Sequence, residues 1–246
     1  MGKRVLIFWA SLALSLWVKA EVLSVHCPLG CPEAAAGNDV VFTHIYALSM
    51  NPKTKFADWV AYEVNVTNFG PGPGRNWSNN PIIASEDVLE YRDYGDAFKE
   101  LKMNKGHLAP LAAFAGNQYW YETNYISNIA PQKSDLNQGP WEDLEQAVRK
   151  AVVYGEPLYV VTGTLYEGNI GSLPKADEEH VIPSGFYKVV YDIHGNSAAF
   201  VMDQRSSRSE HFCGKLVSLA AIKGRLAYGL PILSSRNHVV RLLGCF

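Results

Sequence analysis

Two runs rich in β-branched and aromatic residues, Phe186 to Ile193 and Ser197 to Asp203, are separated by little more than His194-Gly195-Asn196. Strands joined by so tight a turn can pair only antiparallel, because a parallel pair needs a crossover of a dozen or more residues. The pattern recurs along the chain. Val40 to Leu48 and Phe56 to Val66 flank Asn51-Pro52-Lys53-Thr54 as a second hairpin, and Leu158 to Thr162 reads as another strand. One helix is clear from Pro140 to Val153, where Trp141, Leu144, Val148 and Val152 recur at spacings of three and four. Pro140 suits a first helical turn, and Glu142, Asp143 and Glu145 favour the positive end of the helix dipole. A second helix is expected over Leu216 to Ile222, and residues 67–80 read as a long exposed loop. The expected class is α+β, a central antiparallel β-sheet flanked by helices.

Residues 1–20, MGKRVLIFWASLALSLWVKA, place Lys3 and Arg4 before an apolar run that ends in the small-residue site Val18-Lys19-Ala20. This is the pattern of a secretory signal peptide, and the run is too short to span a bilayer. No later segment is long and apolar enough for a membrane anchor, so the expected location is extracellular, or periplasmic in transit. Residues 21–246 carry no linker, repeat or charge block that would divide them, so one domain is expected. Without Lys3, Arg4 and Lys19 the net charge moves from −2 to −5. A chain of that sign needs a local basic site or a bound cation to approach phosphate. Four cysteines, Cys27, Cys31, Cys213 and Cys245, allow two disulfides in three connectivities, and the short Cys27 to Cys31 loop favours a local bridge. Neither a CxxC pair nor an HExxH motif is present, which argues against a zinc hydrolase.

Three stretches could carry chemistry. In NKGHLAPLAAFAG, His107 stands in an apolar run, where a hydrogen-bonded core histidine is the commoner outcome. Lys105, two residues earlier, would share its face on an extended strand, and Gly106 would let a backbone or ligand approach closely. In residues 124–145, Asn124, Asn128 and Asn137 precede the helix that carries Glu145; such asparagines are ordinarily turn and cap residues. Asn137 and Glu145 are eight residues apart, so a helix reaching back to Asn137 would project both to similar sides, as a hydrated Mg²⁺ would require. GPGPGRNW, residues 70–77, lacks the ending of a phosphate-binding P-loop, but Arg75 could clamp a phosphate bidentately.

The segments HCPLGCP, TKFADWVAYEV, GRNW, KGHLAPLAAFAG, NYISNIAPQKSDLNQGPWEDLE, VVTGTLYE, HVIPSGFYKVV and AFVMDQ, in this order, resemble the DNA/RNA non-specific endonucleases of the ββα-metal superfamily, and most closely their secreted Serratia-type members. The resemblance implies a ββα-metal active-site motif and covers nearly all of residues 21–246. It implies His107 as general base, Asn137 as the only protein side chain on Mg²⁺, with Mn²⁺ able to substitute, and Glu145 as the carboxylate that organises metal-bound water. Arg75 would contact the phosphate, and Asn128 would be an active-site asparagine near the histidine. Cys27 would pair with Cys31 and Cys213 with Cys245, and a homodimer is compatible with the resemblance. Where the family has Asp-Arg-Gly-His, this chain has Asn104-Lys105-Gly106-His107. Lysine keeps the positive charge near phosphate but loses the planar fork, and Asn104 loses a negative charge. The implied function is a Mg²⁺-dependent endonuclease cutting DNA and RNA, single- and double-stranded, to 5′-phosphorylated products. The competing expectation is an impaired relative that binds nucleic acid without turnover.

Overall fold

The computed structural model describes residues 22–231, 233–234 and 237–246; the signal-peptide segment lies outside the described residues. A seven-stranded antiparallel sheet forms the centre, in the order β1, β2, β3, β6, β7, β8, β9. Its strands are β1 (Asp39–Phe42), β2 (Ala47–Asn51), β3 (Phe56–Val64), β6 (Leu158–Leu165), β7 (Gly185–Tyr191), β8 (Ser197–Asp203) and β9 (Leu216–Val217). A separate two-stranded ribbon pairs β4 (Met103–His107) with β5 (Ile129–Lys133). The helices are α1 (Ala97–Leu101), α2 (Ser134–Asn137), α3 (Pro140–Ala151), α4 (Leu219–Lys223) and α5 (Asn237–Leu242).

Two expectations shift. The run Val40 to Leu48 is not one strand but β1, a turn and β2, because Thr43 Oγ1 donates to the Tyr46 carbonyl oxygen and folds the chain back on itself. The helix expected from Leu216 begins three residues later. Ser218 takes the N-cap, its hydroxyl accepting from Ala221 N–H, and leaves Leu216 and Val217 to the sheet edge. The turn between β7 and β8 forms as expected: Asp192 Oδ1 accepts from His194 N–H and Asn196 N–H, while Gly195 adopts the left-handed φ of 80° that favours glycine.

Strand alternation gives the sheet two buried faces. Trp59, Ala61, Val161, Tyr187 and Val189 face one core, which Cys27 and α4, through Leu219 and Ile222, cover. Val60, Tyr62, Val160, Phe186 and Val190 face the other, against Trp141, Leu144 and Val148 of α3 and Ile129 and Ala130 of β5. The same alternation puts a lysine, Lys188, on the α3 face, fully buried. Disulfides Cys27–Cys31 and Cys213–Cys245 hold the N-terminal segment and the C-terminus.

Candidate active site

The register of the ribbon sets His107 opposite Ile129, Lys105 opposite Pro131 and Asn104 opposite Gln132. Lys105 and His107 therefore share one face, and Asn104 and Gly106 the other. On that second face the close approach at Gly106 comes from a side chain: a Cβ at residue 106 would lie 2.2 Å from Gln132 Oε1. Gln132 is buried, and neither of its amide atoms has a hydrogen-bond partner among the described residues.

A cleft of about 400 Å³ brings together Arg75, Asn104, Lys105, His107, Asn137 and Glu145. Asn137 closes α2 and Glu145 lies in α3, so the helix does not reach back to Asn137. Gly139 breaks it, packed so closely that a Cβ there would lie 2.5 Å from the Asp135 carbonyl oxygen and 2.7 Å from that of Arg208. Both side chains nevertheless line the same cleft.

His107 Nε2 lies 3.1 Å from Asn124 Oδ1, and its ring centroid is 5.3 Å from that of Trp77. With a carbonyl oxygen as the partner, Nε2 carries the hydrogen and Nδ1 keeps its lone pair. Burial above all pushes the His107 pKa down to about 4; the bond to Asn124 opposes the shift, and the Arg75 charge adds a smaller share to it. The imidazole is thus neutral at pH 7, with a proton affinity below that of a free histidine. The amide that touches the histidine belongs to Asn124. Asn128 is placed elsewhere, wholly buried, its Oδ1 accepting from Ala109 N–H at 2.8 Å and its Nδ2 donating to the carbonyls of Ala109 and Thr123. It fixes the backbone just beyond His107 and lies outside the cleft.

Glu145 Oε1 accepts from Lys188 Nζ at 2.9 Å, and that ammonium lies 3.9 Å from the centre of the Trp141 ring. Burial raises the Glu145 pKa and lowers that of Lys188, and their mutual attraction opposes both shifts. Sequence reasoning missed Lys188, although a single charge in the middle of Phe-Tyr-Lys-Val-Val-Tyr is a visible signal. Lys105 has no carboxylate partner among the described residues; its ammonium lies 4.9 Å from the Tyr91 ring, 5.7 Å from Tyr94 and 5.9 Å from Trp77. Arg75 is exposed and makes no ion pair with the described residues.

The Asn137 side chain makes no hydrogen bond to a described residue, and Lys188 engages only one oxygen of Glu145. One free amide oxygen and a carboxylate lining the same polar cleft, open to water, fit a hard divalent ion that keeps most of its hydration.

Residues 29–226 match the family model described as DNA/RNA non-specific endonuclease. The chain belongs to the DNA/RNA non-specific endonuclease family. It is 38% identical to a nuclease of Serratia marcescens over 96% of each chain. It is 30% identical to human mitochondrial endonuclease G, over 59% of this chain and 52% of that relative, so it spans about half of the latter's length. A crystal structure of an EndoG/EndoGI complex superposes with a TM-score of 0.66 at 20% identity, over 78% of this chain and 84% of the other, and so shares the fold. Membership in this nuclease family agrees with a large antiparallel sheet carrying a ββα unit built of β4, β5 and α3. Among the described residues no helix is long and apolar enough to cross a membrane.

Proposed function

We propose that this nuclease is an exported, Mg²⁺-dependent endonuclease that hydrolyses phosphodiester bonds in DNA and RNA, single- or double-stranded, leaving 5′-phosphates. The observation that carries the reading is a neutral histidine sharing one cleft with a free amide oxygen, a half-engaged carboxylate and two cations that have no acidic partner among the described residues. Nδ1 of His107 takes the proton of the attacking water, while the bond from Nε2 to Asn124 fixes ring and tautomer. The free oxygen of Glu145 orients water, held in place by Lys188. Arg75 grips the phosphate with its planar fork, and Lys105 adds a point charge. Asn137 would hold Mg²⁺, or Mn²⁺ in its place, which when bound supplies Lewis-acid polarisation and charge neutralisation at the phosphate. The recognition elements address the backbone, and none reads base edges, so sequence preference is slight. Export is supported by the signal-peptide pattern and by two disulfides, which persist in oxidising compartments.

Plasmid DNA and an RNA transcript, each incubated with protein and Mg²⁺ with and without EDTA, test the reading on one gel. Both are expected to be cut, and EDTA to stop the cutting; intact substrates in Mg²⁺ would refute it. Asn137→Ala is expected to raise the Mg²⁺ concentration for half-maximal rate at least tenfold.

A further inference from the structure

Outside the residues lining the cleft, Asp93, Asp177 and Glu178 bring three carboxylates together, with one oxygen from each within 4.8 Å of the others. Three oxygens so placed have a common point no more than about 2.8 Å from each, so small side-chain movements bring all three within the roughly 2.3–2.6 Å reach of one Ca²⁺. A group of acids alone proves nothing, but Asp93 adds a second observation. Its side chain has no exposed surface. Its Oδ2 accepts from Glu90 N–H at 2.6 Å, while Oδ1 is buried and has no hydrogen-bond partner among the described residues. Glu178 Oε2 is in the same condition. Burial raises the pKa of both groups, and the neighbouring carboxylates raise them further.

The cation at hand is Arg92. Its Nε lies 2.8 Å from Glu90 Oε2 and only 3.8 Å from Asp93 Oδ1, and its Nη2 is 3.5 Å from Asp177 Oδ2. One guanidinium divided among three carboxylates holds the inner oxygen of Asp93 only by a long 3.8 Å ion pair without a hydrogen bond, and among the described residues no cation pairs with Glu178. A buried carboxylate oxygen without donor or cation is costly, and an ion that takes six to eight oxygens, water included, relieves it. Asp177, 69% exposed, leaves the outer side open for those waters. Mg²⁺ fits less well, since it demands near-ideal octahedral geometry at short distances.

We propose that Asp93, Asp177 and Glu178 form a Ca²⁺ site, separate from the Mg²⁺ site assigned to the cleft. The ion would tie the turn Tyr91–Tyr94 to the segment around residues 173–180. That turn also carries two of the three rings around Lys105, so Ca²⁺ would stiffen the cleft wall that positions this cation.

The full chain, stripped with EDTA and titrated calorimetrically with CaCl₂ at neutral pH, tests the site. Because Ca²⁺ could also enter the cleft, the decisive protein is Asn137→Ala, which is expected to keep one Ca²⁺ per chain. At free Ca²⁺ ten times Kd its folded-to-unfolded ratio is expected to rise about elevenfold. Adding Asp177→Asn and Glu178→Gln, which keep shape and remove charge, should abolish binding and shift alike. Asp177→Asn alone, at an exposed side chain, should weaken Ca²⁺ at least tenfold without loss of fold. If Asn137→Ala binds no Ca²⁺, or binds it equally well after the acidic residues are neutralised, the site does not exist and the carboxylates share a proton instead. Either result leaves the assignment of the catalytic cleft untouched, because that rests on cleavage.

Discussion

Two polar regions on this scaffold treat their hydrogen-bonding capacity in opposite ways. Beside β2 and β3, the nearly buried Asp58 has both oxygens satisfied: Oδ2 accepts from Asn38 Nδ2 at 2.7 Å and Oδ1 from Asn51 Nδ2 at 3.0 Å. The Asn38 amide also donates to Ser49 Oγ. In the cleft, among the described residues, the Asn137 amide makes no hydrogen bond, Lys105 and Arg75 make no ion pair, and one oxygen of Glu145 is unengaged. A group satisfied within the protein stabilises the fold, while one left unpaired is available to a ligand. The first region is therefore structural, and the second is shaped for something the protein itself does not supply.

The largest expected effect separates the two directly. His107→Ala should lower kcat by about 10²- to 10⁴-fold, the usual worth of a general base, and cost about 1–3 kcal/mol of stability because the buried Asn124 oxygen loses its partner. Asp58→Ala should cost about as much stability, by stranding Asn38 and Asn51, but leave kcat unaltered. Parallel melting curves and rate measurements decide it; a loss of kcat in Asp58→Ala comparable to that in His107→Ala would erase the distinction.

The Lys188–Glu145 pair belongs to both regions, since it is buried like Asp58 and yet faces the cleft. Lys188→Met should cost about 3–5 kcal/mol by leaving the Glu145 carboxylate buried and unpaired. Adding Glu145→Gln should recover part of that stability and none of the activity. Chemical denaturation of the single and double variants reads the first outcome, and the cleavage assay the second.

The lowered pKa of His107 yields a smaller effect with a definite sign. At pH 5.5 a group titrating at about 4 is still almost wholly neutral, whereas a free histidine near ~6.5 would be roughly 90% protonated. With metal saturating, kcat/KM at pH 5.5 should therefore stay within about twofold of its value at pH 7; a tenfold fall centred near pH 6.5 would contradict the burial argument. Stability follows from the same shift. Between the unfolded and folded pKa values the unfolded chain binds the proton and the folded chain does not, so this residue destabilises the fold progressively as pH drops from about 6.5 to about 4.

Local pattern was legible in the sequence wherever one period decided the outcome. The helix expected over Pro140 to Val153 forms as α3, Pro140–Ala151, and β8 occupies Ser197–Asp203 as expected, because burial on one helical stripe or between two cores enforces those periods. What sequence could not show was which of several like residues meets the histidine. Asn124 and Asn128 both precede the helix, and only the three-dimensional path of the short 3₁₀ turns gives one to His107 and the other to the backbone of Ala109. Lys188 escaped for a related reason, since its partner Glu145 is distant in sequence. The break at Gly139 did have a local signal, since the residue before a proline is pushed out of the helical region, and the close approach of the chain at Arg208 adds to it.

The smallest expected effect concerns the position where this chain departs from the family signature. Lys105 sits among the rings of Tyr91, Tyr94 and Trp77, whose faces attract its ammonium and hold it over the cleft without a carboxylate. Such contacts are worth about 0.5–2 kcal/mol. A guanidinium can stack on the same rings and also present two parallel N–H donors to a phosphate. Lys105→Arg should therefore raise kcat/KM only a few-fold, and Tyr91→Leu should lower it by about two- to fivefold in the lysine protein. If the rings position the cation, the two changes must couple, with the cost of Tyr91→Leu differing between the lysine and arginine backgrounds. Strict additivity across that double-mutant cycle would mean that the aromatic cage only packs against Lys105, and that the loss of the fork goes uncompensated.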